Sequence, residues 1–321
     1  LAEKTFSAIA IMGVSMRLLI SLLLPALLLV LPGITASGQA PAVLHVATGG
    51  KESDAQVYYA QELGYFSRAG LTVDIQTMSN GAAIASAVAG GALQIGSSNI
   101  LAIATARQRG LPFVFIAPGG QYRDAVPTTE IVTALGSPLR TGKDLNGRTV
   151  GTISLRALDQ FSAMAWIDRN GGDSSTVKFV EIPTSEMTAA LDRGTIDAAQ
   201  MAEPFLSANR AKVRVLGKPY GAVAKQFLIA GWFAKADWVA QNPDVVKRFN
   251  EAIAQTAQWA NANPAKASAI LEKYSKIPAN PNANHLSYAR TLDAAAIEPV
   301  LALGLKYKAL TQTLAASELI R

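Results

Sequence analysis

Short apolar runs alternate with longer stretches of helical spacing from residue 43 onward. "VLHVAT" (43–48), "LTVDIQTM" (71–78), "LQIGSS" (93–98) and "PFVFIAP" (112–118) are bounded by Gly, Pro and polar residues, and each predicts a strand. Between them, "DAQVYYAQELGYF" (54–66), "GAAIASAVAGG" (81–91) and "NILAIATARQRG" (99–110) predict helices, the first capped by Ser53 or Asp54. Repeating βα units imply a parallel-rich sheet with helices on both faces.

A second series starts near residue 131. "EIVTAL" (130–135), "RTVGTIS" (148–154), "VKFVEIP" (177–183), "IDAAQM" (196–201) and "VRVLGKP" (213–219) read as strands. "ALDQFSAMAWIDRNGG" (157–172) and "SEMTAALDRG" (185–194) read as helices ended by glycine. "FLIAGWFAKA" (227–236) reads as one return strand. In the helical tail, Asn242-Pro243 and Asn263-Pro264 each place a capping Asn before a Pro at the first helical position. Val246, Phe249, Ile253 and Ala257 recur at three- and four-residue spacing and predict a buried helix face. The two series share a unit: "AVAGGALQI" (87–95) aligns without gaps on "ALDRGTIDA" (190–198), matching Gly91 to Gly194 and Gln94 to Asp197. Two similarly built α/β lobes are expected from this repeat.

Composition changes the picture at the N-terminus. "MRLLISLLLPALLLVLPGITASGQA", from Met16, has a basic start, a leucine-rich run broken at Pro32-Gly33, and small residues after it. This is the layout of a cleaved secretory signal, with cleavage expected between Ala36 and Ala40. Residues 1–15 read as an over-extended start, with Met16 as initiator, so residues 1–38 are set apart from the folded protein. The sequence holds no cysteine, which fits a free periplasmic protein without a lipid anchor or a disulfide.

Charge adds little. The net charge is +6, of which Lys4, Arg17 and Glu3 contribute +1 before residue 39. The Lys and Arg residues are scattered, so nucleic acid is not an expected partner. The two histidines, His45 and His285, have no metal-ligand spacing partner, and a metal site is not expected. "GSPLRTGKD" (136–144) has five residues between its glycines and Asp144 where a phosphate loop needs Ser or Thr. Without a nucleophile elbow, metal site or nucleotide motif, the expectation is a binder with no cofactor, and not an enzyme.

"YYAQELGYFSRAGLTVDI" (58–75) carries the frame Ala60-x-Glu62-x-Gly64-Tyr65-Phe66-x-x-x-Gly70-Leu71-x-Val73. It resembles the periplasmic substrate-binding proteins of ABC importers for sulfonates, taurine and nitrate, in the thiamine-pyrimidine-synthase-like superfamily. "DLNGRTVG" (144–151), "ALDRGTIDAAQMAEPF" (190–205) and "NPDVVKRFNEAIAQTAQWANANP" (242–264) fit the same family in order, so the resemblance covers roughly residues 42–275. It implies an α/β, two-lobed type II periplasmic binding fold, each lobe a mixed sheet flanked by helices. Lobe one would hold 41–130 and 232–321, and lobe two 131–231. It also implies hinge closure on a small ligand, delivery to an ABC permease driven by a separate ATPase, and a monomer. Two further readings stay open: a pyrimidine-precursor binder or synthase-like enzyme, which the superfamily includes, and a ligand-sensing domain for a membrane receptor.

Ligands of open α/β sheets bind beyond the carboxyl ends of strands. The candidate rim is therefore Thr48, Gly49 and Gly50; Ser79, Asn80 and Gly81; Ser97, Ser98 and Asn99; and, in the second series, Ser154, Arg156, Met201 and Glu203. Tyr122 and Trp232 are candidates for a flat wall near the crossings between lobes. Such Ser, Asn and Gly residues equally serve as caps and turns. Arg156 is expected in the first turn of a helix capped by Ser154, where a cation has no intrinsic reason to sit. A guanidinium there would grip a sulfonate or carboxylate, so an anionic ligand is expected, and Arg156→Ala would cost ~2 kcal/mol of binding. The alternative is an outward Arg156, leaving Ser154 and backbone amides to face the cleft.

Overall fold

The structure is a computed structural model that describes residues 43–78, 81–276, 278–280 and 283–321. The expected secretory segment lies outside the described residues, as do Ser79 and Asn80. The strands, in chain order, begin with β1 (Leu44–Thr48), β2 (Val73–Thr77), β3 (Ile95–Asn99) and β4 (Phe113–Pro118). β5 (Gly120–Arg123) leads to β6 (Thr129–Ala134), β7 (Thr149–Thr152), β8 (Lys178–Glu181), β9 (Ala198–Ala202) and β10 (Val213–Gly217). β11 (Gln226–Leu228), β12 (Ala230–Lys235) and β13 (Ser287–Tyr288) complete the set.

Two five-stranded sheets form, in the orders β2-β1-β3-β12-β4 and β10-β6-β9-β7-β8. In the first, β1 runs parallel to β2 and β3, and β12 returns antiparallel between β3 and β4. In the second, β7 runs parallel to β8 and β9, and β6 is antiparallel to β9 and β10. Both sheets are thus mixed, each with a parallel trio and an antiparallel strand beside it. The fold is the two-lobed, type II α/β arrangement.

The repeat seen in the sequence extends to individual hydrogen bonds. Gly91 and Gly194 both take left-handed backbone, at φ 81° and 70°. The next N–H turns back to the helix in each case, Ala92 to the Ala87 carbonyl and Thr195 to that of Ala190, both at 3.0 Å. Gln94 then accepts the N–H of His45 through its side chain at 2.8 Å, and Asp197 accepts that of Thr149 at the same distance. An amide and a carboxylate stitch the same junction because only the acceptor oxygen is used.

Three expectations are corrected. The stretch 54–66 is not one helix: a 3₁₀ turn at Glu52–Asp54 precedes Gln56–Glu62, and Gly64 at φ 69° starts a separate turn, Tyr65–Arg68. "FLIAGWFAKA" is not one strand, since it divides at Ile229 into β11 and β12, which join different sheets. Asn242 and Asn263 stand at the N-cap positions with Pro after them, as expected, but their side chains do not cap the helices that follow. Their amides donate back to the carbonyls of Trp238 and Trp259, both at 2.9 Å, and so tie off the helix before each Pro.

The chain passes between the two sheets along β5 and back along β11, and these crossings pair antiparallel, Phe227 opposite Tyr122. β13 adds to β5 from the tail. The helix Ala294–Lys306 places Ile297, Val300 and Leu301 in a core shared with Ile100 and Leu101 and with Leu158 and Phe161. Tyr307 stacks on Phe161 and donates to Asp168 at 2.6 Å. The tail therefore packs against helices from both series. The predicted face of Pro243–Ala262 is buried as expected, with Val246, Phe249, Ile253 and Ala257 in the core of the first sheet.

Candidate functional site

Between the carboxyl ends of the two parallel trios lies a cleft of about 920 Å³, its open mouth included. The first sheet supplies the β1 loop (Gly49, Lys51, Glu52, Ser53, Asp54), Gly81, and Ser97 to Asn99. The second supplies Gln200, Ala202 and Glu203 from the matching end of β9, with Thr128, Thr129 and Tyr220 beside them.

The β1 loop is built around Asp54. Its carboxylate accepts the N–H groups of Gly49 and Lys51 at 2.8 and 3.0 Å and the Ser97 hydroxyl at 3.3 Å. Thr48, fully buried, donates its hydroxyl to the Asp54 carbonyl at 2.7 Å. Burial raises the Asp54 pKa, and the positive charge of Lys51 and these donors work against that rise. Gly49 touches this carboxylate so closely that a Cβ would sit 2.9 Å from it. Gly50, at φ 69°, turns the loop behind the lining.

Gly81 opens the helix Gly81–Ala89 and lies against Ser98, so a Cβ there would overlap the Ser98 hydroxyl. Asn99 lines the cleft and also caps the helix Ile100–Gln108, accepting the Ala102 N–H at 2.9 Å. The cap and rim readings of Asn99 thus hold together.

Glu52 and Glu203 stand at one end. Both also line a small adjoining cavity with His285. His285 pairs through Nδ1 with Glu52 at 2.9 Å, and this bond raises the His285 pKa. Glu203 accepts the N–H and hydroxyl of Ser207 at 3.0 and 2.7 Å. Burial raises the pKa of both carboxyl groups, and the charge of Glu52 adds to the rise at Glu203.

Several candidates fall elsewhere. Met201 points away from the cleft into the core of the second sheet, because side chains alternate along β9 and its neighbours Gln200 and Ala202 take the cleft side. Trp232 is fully buried, donates to Gln56 at 2.9 Å and packs edge-on against Phe249; it is core and not wall. Tyr122 is buried too, donating to Asp124 at 2.9 Å. The aromatic side chains on the lining are Phe205 and Tyr220, and Tyr220 packs edge-on over Tyr122 and donates to Asp159 at 3.0 Å.

Arg156 is not in the first turn of a helix. The helix begins at Leu158, with Ala157 at its N-cap. Arg156 is exposed, takes left-handed backbone at φ 54°, and donates its N–H to the Gln160 side chain at 2.7 Å. It lies outside the cleft lining, as does the half-exposed Ser154; Ile153 takes that place. Lys51 is the basic side chain on the lining among the described residues.

Sequence reasoning missed Gln200, Glu52 and Tyr220. Alternation along β9 could have found Gln200, one residue before Met201. Nothing local marks Tyr220, whose placement depends on the crossing strands.

Among the described residues, no helix is long and apolar enough to cross a membrane, and no cluster of three or more His, Asp and Glu is placed to hold a metal ion. Two α/β lobes with a cleft at the carboxyl ends of their strands form the fold of periplasmic binding proteins. The chain belongs to the NMT1/THI5-like family, whose model matches residues 52–267. The taurine-binding periplasmic protein of Escherichia coli (strain K12) is 26% identical over 62% of this chain, and the chain spans 61% of that relative's length. The periplasmic aliphatic sulphonate binding protein SsuA from Escherichia coli shares the fold at a TM-score of 0.70 and 16% identity, over 88% of this chain and 92% of its own. The periplasmic nitrate-binding protein NrtA from Synechocystis PCC 6803 does so at 0.69 and 14%, over 86% and 84%. All three are named as binding proteins.

Proposed function

We propose that this protein is the periplasmic solute-binding component of an ABC importer, which captures a small organic acid and delivers it to a permease. One observation carries the reading: the two sheets present matching strand ends, Ser97–Asn99 and Gln200–Glu203, to one cleft. Sites at such switch points bind ligands in open α/β sheets. The paired crossings β5 and β11 offer a hinge, so that the lobes of residues 41–130 with 232–321 and of 131–231 close on the ligand. Lys51, in place of Arg156, is the cation available to an acid group. The names of the relatives, for taurine, sulphonate and nitrate, agree with an acid in the ligand.

A micromolar solute needs about −8 kcal/mol, which several hydrogen bonds in a closing cleft supply. A thermal-shift series with sulfonates, taurine, nitrate and aromatic acids tests the reading, since a ligand of the folded state alone raises Tm. A concentration-dependent rise with at least one compound is expected. No rise with any of them contradicts the proposed ligand class.

A further inference from the structure

The charge of the cleft points to a feature of the ligand beyond an acid group. Glu52, Asp54, Asp159 and Glu203 line it, against Lys51 among the described residues. Two of these carboxylates are used by the fold, since Asp54 is filled by its loop donors and Asp159 is held by Tyr220. Glu203 takes one Ser207 donor on each oxygen and keeps further lone pairs, so Glu52 is the least satisfied of the four. Glu52 is 8% exposed; His285 holds Oε1, the Leu286 backbone N–H lies beside the carboxyl, and Oε2 has no hydrogen bond of good geometry among the described residues.

A second, independent group points the same way. Gln200 is 4% exposed, and its Nε2 donates to the Ser162 hydroxyl at 3.2 Å. That bond uses the amide N–H, and leaves Oε1 a buried acceptor without a partner among the described residues, on a residue of the cleft lining. A buried acceptor without a donor is costly, and a buried carboxylate oxygen more so. Ser98 and Thr128, also buried on the lining with unpartnered hydroxyls, serve either role.

Glu52 comes from the β1 loop and Glu203 from the end of β9, so the two carboxyl groups reach the cleft from different sheets, with His285 beside Glu52. A cation between them relieves their repulsion and links the two halves, whereas a nitrogen-free anion adds to it. Resting on the solute-binding reading above, we infer that the ligand carries a protonated, hydrogen-donating nitrogen held by Glu52 and Glu203, with Gln200 Oε1 as a third acceptor. The ligand class is therefore an amine or amidinium compound, with or without an acid group for Lys51.

Matched pairs that differ in the nitrogen test this by titration calorimetry: taurine against ethanesulfonate, 4-aminobutyrate against butyrate, and butylamine against butanol. In at least one pair, the amino member is expected to bind tenfold or more tightly than its counterpart. Glu52→Gln and Glu203→Gln, each checked for folding by circular dichroism, are expected to shrink that ratio at least fivefold. Two variants are used because Glu203 also holds Ser207. A nitrogen-free anion that binds as tightly as its amino counterpart overturns the inference and leaves the solute-binding reading standing. A ratio unmoved in both variants also overturns it. Binding by no member of any pair counts against the solute-binding reading itself, and the inference falls with it.

Discussion

At the scale of single residues, the decisive difference is between Arg156 and His285. Arg156 drew attention as a cation at a helix start, yet the helix starts two residues later and the side chain is exposed. Arg156→Ala is therefore expected to leave ligand affinity within about twofold, in place of the ~2 kcal/mol loss that an unpaired charged partner would cause. A tenfold loss in calorimetry would restore Arg156 to the site.

His285 has the opposite history: it had no recognisable motif, and the fold places it on Glu52. The Glu52 bond raises its pKa above the ordinary 6.5, with the charge of Glu203 adding to the rise. A folded pKa above the unfolded one contributes stability that is full below the unfolded value and is lost as pH rises through the folded value. The stability difference between wild type and His285→Gln should thus be largest from about pH 5 to 6.5 and shrink at higher pH. Urea unfolding across that range checks it; a difference that grows with pH would contradict the pairing.

At the scale of elements, what the sequence disclosed follows from how local each signal is. Strand positions were readable because apolar runs and bounding glycines act within a few residues, as at "PFVFIAP" and β4. The Gly91 and Gly194 junctions were readable for the same reason. Neither glycine has an atom within 4 Å of where a Cβ would stand, so the cost of a side chain is conformational alone. Gly91→Ala and Gly194→Ala should each destabilise by about 1 kcal/mol, and by similar amounts. Chemical denaturation tests this, and a loss at only one of them would break the equivalence of the two junctions.

What stayed hidden depends on partners far along the chain. The division of 227–236 at Ile229 is set by the pairing of β11 with β5, about a hundred residues earlier. Asn242 and Asn263 looked like N-caps because Asn-Pro is a start signal, but the preceding helices end close enough to claim their amides. In the site, the glycine and serine loops of the first sheet could be read from strand ends. Gln200 required the parity of β9, and Tyr220 the path of the chain between sheets.

At the scale of the whole molecule, the crossings β5 and β11 are short and paired, and the tail helix packs on both series. A closing motion about these crossings must carry or slide that tail, including the Tyr307–Asp168 bond. Glu52 and Glu203, which already line one small cavity with His285, would share the ligand on closure. Recognition and closure are in this account one event.

The central claim is that the cleft holds one small solute. Native mass spectrometry of protein purified without denaturation tests it most directly, comparing wild type with Ala202→Trp, which places an indole on the cleft lining. A wild-type species heavier than the polypeptide by one small molecule is expected, absent from the folded Ala202→Trp variant. A wild-type mass equal to the bare polypeptide, or an adduct that Ala202→Trp retains, would contradict it.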